Sequence, residues 1–122
     1  MAKRIITVDD AATMRRLIAY TLRGAGHEVL EAEDGEDALR LLGGQGIDLV
    51  ITDINMPKMD GIELVRRLRS LPRFQATPIL LLTTESDPEK KRQGKEAGAT
   101  GWITKPFQPD QLVAAVAKVT GA

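Results

Sequence analysis

The chain has 122 residues, an ordinary length for one domain, and 43% of them are hydrophobic, enough to close a core and too many for a disordered chain. Seventeen basic and seventeen acidic residues cancel, so no global charge steers the chain toward nucleic acid or anionic lipid, and any electrostatic function has to be local. The absence of cysteine excludes disulfides, thiolate catalysis and Cys-ligated zinc, and it fits a reducing compartment.

Arg4 to Val8 reads as a strand, and its apolar run is broken by Asp9-Asp10 well short of a signal-peptide core. Thr13 to Arg23 carries Met14, Leu17, Ile18 and Leu22 at helical spacing, with Gly24 as the stop. Glu28 to Ala32 is a second strand. Asp34 caps a helix that runs through Leu42 to Gly43-Gly44. Asp48 to Thr52 is apolar on successive residues, as a strand buried on both faces requires. Gly61 to Ser70 forms a third helix with Ile62, Val65 and Leu68 inward, and Ile79 to Leu82 is the most hydrophobic strand. Asp87-Pro88 supplies a cap and first-turn proline for a fourth helix, Gly101 to Thr104 is a fifth strand, and Pro109 opens a last helix with Leu112, Val113, Val116 and Val119 toward the core.

Five strands alternating with five helices imply an α/β fold of parallel βαβ units, doubly wound, with helices on both faces of one open sheet. No repeat, low-complexity tract or linker interrupts the pattern, so residues 1–122 are expected to form one domain with no room for an output domain. No apolar stretch approaches the roughly 18 residues that span a bilayer. The expected location is cytoplasmic.

Ligands of such sheets bind beyond the carboxyl ends of the strands. Those loops carry Asp9-Asp10, Asp53, Thr83-Thr84 and Lys105-Pro106. Singly, each has an ordinary explanation: a helix cap, a turn residue, a solvated lysine. Together they do not, because three clustered carboxylates repel one another and burial adds to the cost. A hard divalent cation resolves that conflict. Magnesium takes oxygen ligands, keeps several waters and shares its shell with phosphate oxygens. A lysine ammonium and a threonine hydroxyl suit phosphoryl oxygens, and a carboxylate can serve as nucleophile by forming an acyl phosphate.

At these residues the sequence resembles the receiver domains of two-component response regulators, across essentially its whole length. Val8-Asp9-Asp10 is similar to the family's acidic pair, Thr52 to Gly61 to its phosphoacceptor segment, Thr83 to its hydroxyl position, and Lys105-Pro106-Phe107 to its lysine-proline motif. Within the family it most resembles the CheY-type chemotaxis regulators, through Thr13-Met14-Arg15-Arg16, Glu31 to Gly35 and Ala97 to Trp102. The resemblance implies a flavodoxin-like strand order of 2-1-3-4-5. It implies that Asp53 accepts a phosphoryl group from a sensor histidine kinase. Magnesium, or manganese or calcium in its place, would be held by Asp10, Asp53 and the backbone carbonyl of Asn55, with Asp9 acting through water. Lys105 would contact the phosphoryl group and precede a cis bond to Pro106. Thr83 and Trp102 would form the switch, and Asn55 and Glu85 would tune dephosphorylation. The implied partners are a sensor kinase, the flagellar motor switch and a phosphatase, with the chain a monomer that binds neither nucleic acid nor membrane.

The sequence departs from the family at Trp102, where Tyr or Phe is commoner, and at Thr84, where the chemotaxis regulators carry a small alanine. The fourth helix has almost no apolar stripe and an interior Gly94, so it is expected to be the least stable of the five. Lys90, Lys91, Arg92 and Lys95 form a basic cluster on it, either a solvated face or a surface for an acidic partner. His27 reads as surface filler.

Two other functions of the same class fit the site: a phosphate sink and a cell-cycle receiver. A haloacid-dehalogenase-type phosphatase would use a similar set, but its general acid falls two residues after the nucleophile, where this chain has Asn55. A flavin carrier of the same fold would have its phosphate repelled by Asp9 and Asp10. The expectation is therefore a phosphoacceptor that promotes only its own phosphorylation and dephosphorylation.

Overall fold

A computed structural model describes residues 2–44, 46–84 and 88–121; Glu85 and the cap expected at Asp87 lie outside the described residues. Strands β1 (Arg4–Val8), β2 (Glu28–Ala32), β3 (Leu49–Asp53), β4 (Ile79–Thr84) and β5 (Gly101–Lys105) alternate with helices α1 (Ala12–Gly24), α2 (Gly35–Leu42), α3 (Gly61–Arg69), α4 (Pro88–Ala97) and α5 (Pro109–Thr120). All strand pairs are parallel, in the order β2-β1-β3-β4-β5. No helix among the described residues is long and apolar enough to cross a membrane.

The period-2 alternation of each strand divides the core. Ile6, Val8, Val50, Ile79 and Leu81 pack with α2 and α3. Ile5, Leu49, Ile51, Leu80, Leu82 and Ile103 pack with Ile18 and Leu22 of α1 and Leu112 and Val116 of α5. Asp34 caps α2 by accepting from the Asp37 amide at 2.8 Å, and Asp60 caps α3 by accepting from the Glu63 amide at 2.8 Å.

Several details differ from the sequence pattern. β3 begins one residue later than expected, and just before it the Asp48 amide donates to the Arg4 carbonyl at 2.8 Å while its carboxylate, in place of a backbone carbonyl, accepts from the Arg4 amide at 2.8 Å. β4 runs two residues beyond Leu82, since Thr83 and Thr84 stay in register with Thr104 and Lys105. On α1 the buried face is Arg15, Ile18, Ala19 and Leu22, which leaves Leu17 at 46% exposure. His27 is half-buried rather than filler: its Nδ1 accepts the Lys3 amide at 3.1 Å.

On α4 the one buried residue is Gly94, where an added side-chain carbon would fall 2.4 Å from Leu81 Cδ1. The missing side chain lets the helix approach β4. Arg69 fastens the neighbouring segments. Its guanidinium donates to the carbonyls of Phe74 (2.6 Å), Thr77 (2.7 Å) and Gly98 (2.9 Å), tying the end of α3 to the short 3-10 turn Pro72–Phe74 and the α4–β5 loop.

Candidate functional site

β1 and β3 are adjacent, so their carboxyl ends bring Asp9, Asp10 and Asp53 together. One carboxylate oxygen from each lies within 4.8 Å of the others. Asp53 ends a strand that is buried at every residue, and it is itself only 9% exposed. Lys105, from the end of β5, places Nζ 2.9 Å from Asp53 Oδ1. The peptide bond from Lys105 to Pro106 is cis.

Asp9 is the most constrained of the three carboxylates. Its amide donates to the Ala32 carbonyl at 3.1 Å, and its Oδ1 accepts the Ala11 amide at 2.9 Å. Its Oδ2 is buried and has no hydrogen-bond partner among the described residues. Burial raises the Asp9 carboxyl above its ordinary range, the Ala11 hydrogen bond lowers it, and the charge of Asp53 raises it further. Lys105 opposes the charges of Asp53 and Asp10 at this carboxyl, and burial remains the larger cause of its rise. An orphaned buried carboxylate oxygen beside two more carboxylates fits a divalent cation with a partly aqueous shell.

A small pocket opens over Asp53, lined by Ile54, Asn55, Leu82, Thr83, Thr84 and Lys105. Thr83 is buried and its hydroxyl donates to the Thr84 carbonyl at 3.3 Å, whereas Thr84 and Asn55 are exposed at the rim. By strand parity Thr83, Thr104 and Trp102 share one face of the sheet, with Thr83 and Thr104 in register on neighbouring strands. Trp102 lies outside the pocket. It is 40% exposed, and the Lys91 ammonium sits 5.8 Å from its ring centroid. Beside it runs an open groove lined by Ile103, Thr104, Pro106, Phe107 and Gln111.

Sequence reasoning missed two contributors. The sequence marks Gly61 as a helix start and the end of the phosphoacceptor segment but not its contact with the Asp53 backbone, against which it packs. Arg15 is buried behind the acidic pair, with Nη1 donating to the Asp9 carbonyl at 2.8 Å. The signal for Arg15 was available: it stands three and four residues before the core positions Ile18 and Ala19, on the face that should be apolar.

The chain matches the response regulator receiver domain family over residues 5–117. It is 40% identical over 120 residues to the chemotaxis protein CheY homolog of Campylobacter jejuni, covering 97% of this chain and 92% of that protein. It is 42% identical over 124 residues to the phosphate regulon transcriptional regulatory protein PhoB of Pseudomonas aeruginosa, covering 99% of this chain but 54% of that protein. Among solved structures, the chemotaxis response regulator CheY4 of Vibrio cholerae superposes with a TM-score of 0.92 at 43% identity, covering 98% of this chain and 99% of that one. A match of this extent, reaching into all five strands and carrying the same fold, shows that the chain belongs to the response regulator receiver domains, the phosphorylation-activated modules of two-component signalling.

Proposed function

We propose that Asp53 is the phosphoacceptor of a chemotaxis-type switch. The observation that carries this reading is the meeting of four strand ends at one carboxylate. Asp53 is 2.9 Å from Lys105 Nζ, grouped with Asp9 and Asp10, and open to a pocket that Thr83 also lines. The donor is a phosphohistidine on a sensor histidine kinase, and a carboxylate oxygen of Asp53 displaces the histidine nitrogen at phosphorus to leave an acyl phosphate.

Asp10, Asp53 and the Asn55 carbonyl would hold magnesium, with Asp9 Oδ2 reaching it through water. When bound, the cation supplies charge neutralisation for the phosphoryl oxygens. Lys105 exchanges its bond to Asp53 for one to a phosphoryl oxygen, and Thr83 hydrogen-bonds another. Asn55, at the pocket rim, and Glu85 tune hydrolysis of the acyl phosphate. Asn55 has no transferable proton where a haloacid-dehalogenase-type phosphatase needs an acid, which favours a protein that modifies only itself.

The readout runs from Thr83 across Thr104 to Trp102 on the shared face of the sheet. A shift of Thr83 toward the phosphoryl group makes room for the indole to turn inward from beneath Lys91. That would remodel the α4–β5–α5 surface. The names of the relatives from Campylobacter and Vibrio favour a role in chemotaxis, and the target of this reading is the flagellar motor switch, with the chain acting as a cytoplasmic monomer. A phosphate sink or cell-cycle receiver needs the same site without that surface, and binding of the motor protein only after phosphorylation separates the two.

The test is intact mass after incubation with a small acyl phosphate and magnesium. A single phosphoryl adduct that fails to form when the metal is chelated beforehand, and fails to form in Asp53→Ala, supports the reading. No adduct, or an unchanged one in Asp53→Ala, ends it.

A further inference from the structure

We infer that Arg15 is the positioning residue of the acidic pair, holding the peptide between Asp9 and Asp10 so that both carboxylates face a metal ion. The inference rests on the metal reading of the site. Its physical basis lies in the β1–α1 turn. A peptide unit is planar, so the carbonyl oxygen of Asp9 and the amide of Asp10 turn together. Whatever fixes that oxygen also fixes the direction in which Asp10 leaves the backbone.

Arg15 fixes it. Its Nη1 donates to the Asp9 carbonyl at 2.8 Å from a side chain that is 10% exposed. The guanidinium is itself oriented, since Nε donates to Glu31 Oε1 at 3.3 Å. Glu31 is tied in turn by Arg23, whose Nη1 donates to Oε2 at 3.4 Å and whose Nη2 donates to the Val29 carbonyl at 2.7 Å. The chain of contacts thus runs from the edge strand β2 through two arginines to the acidic pair on β1.

Besides the two hydrogen bonds of Asp9 to Ala32 and Ala11, the turn has no helix cap to hold it. The residue before α1 is Ala11, which offers no side-chain cap, and the first turn carries no acidic residue. Asp9 Oδ1 accepts the Ala11 amide in an Asx-turn that closes around the Asp9–Asp10 peptide but leaves its carbonyl oxygen without a partner, and Arg15 supplies that partner. A buried arginine needs its charge compensated. Here Glu31 and the Asp9 carbonyl compensate it, and among the described residues Arg15 forms no ion pair with Asp9, Asp10 or Asp53 that would take the place of a metal. Lysine can place one donor on the carbonyl but cannot also supply the fixed fork that engages Glu31.

A residue that only stabilised the fold would lower the melting temperature without changing metal affinity. A residue that orients the carboxylates changes affinity in the folded protein. The probe is Mn2+, with the free ion counted by electron paramagnetic resonance, alongside metal-free thermal melts of each variant. Arg15→Ala is expected to weaken Mn2+ about tenfold, the lower end of what outer-shell partners of metal ligands contribute. Arg15→Lys and Glu31→Gln should fall between it and the wild type. Phosphorylation by a small acyl phosphate should slow in all three at low metal and recover at saturating metal, since Arg15 touches no reacting atom.

Should Arg15→Ala not fold, Arg15→Lys and Glu31→Gln decide by the same criterion. Folded variants with wild-type Mn2+ affinity overturn the inference alone. A wild-type chain that takes up no Mn2+ overturns the metal reading and this inference with it.

Discussion

Gly61 lies so close to Asp53 that a side-chain carbon placed on it would come 2.0 Å from the Asp53 carbonyl oxygen. The same residue donates its amide to the Ile54 carbonyl at 2.8 Å, which draws the start of α3 onto the end of β3. The contact sets how the acceptor strand ends. Gly61→Ala must push that backbone aside, and overpacking of this kind costs about 3 kcal/mol. The denaturant midpoint should fall accordingly, with slower phosphorylation in the protein that remains folded. An unchanged midpoint would mean that Asp53 is not held by this contact.

Lys105 competes with any cation for Asp53, since its Nζ occupies one carboxylate oxygen at 2.9 Å. Removing a positive charge this near a carboxylate group favours divalent binding a few-fold. Lys105→Met should therefore bind Mn2+ more tightly than the wild type while accepting a phosphoryl group more slowly. Weaker Mn2+ binding in that variant would show that Lys105 organises the carboxylates instead of competing for them.

Gly94 presents two opposed effects. Alanine would raise helix propensity by about 1 kcal/mol. Its methyl would also displace the buried Leu81, whose Cδ1 lies 2.4 Å from the added carbon, and overpacking costs roughly 1–3 kcal/mol. The packing loss wins, and Gly94→Ala should be destabilising by about 1 kcal/mol in chemical denaturation. The smaller double change Gly94→Ala with Leu81→Val should recover the propensity gain. Hydrogen exchange should show α4 as the least protected helix, because none of its side chains is fully buried.

Burial lowers the pKa of His27 below its ordinary 6.5, and the nearby charge of Lys3 lowers it further. Above pH 6.5 the imidazole is neutral in both folded and unfolded chains, so its contribution is fully present. As pH falls through 6.5 toward the lower folded value, the unfolded chain takes up the proton first and stability declines. Protonation of Nδ1 also removes the acceptor for the Lys3 amide. His27→Gln should flatten this part of the stability–pH curve, measured as melting temperature between pH 5 and 7.

The fold was legible because its information is local. Asp34 before an apolar-periodic run and Gly43-Gly44 after it bound α2, and unbroken apolar runs such as Leu49 to Ile51 mark strands covered on both faces. Asp9, Asp10, Asp53 and Lys105 were legible for a related reason, since parallel strands put their carboxyl ends at one edge. What stayed hidden depends on contacts far apart in sequence. Arg69 reaches Gly98 across 29 residues, and nothing in its own neighbourhood names that partner. The roles of Gly61 and Gly94 lie in backbone approach, which leaves no side-chain signal. Leu17 misled because its spacing is helical while its rotation about the axis is not inward.

The acceptor itself can be mapped chemically. Borohydride reduces an acyl phosphate on aspartate to an alcohol, which leaves homoserine at the modified position. After phosphorylation with magnesium and a small acyl phosphate, peptide mass spectrometry should find homoserine at position 53 and at no other acidic residue. Homoserine at Asp9 or Asp10, or none at position 53 in a chain that carries the phosphoryl adduct, would contradict the account.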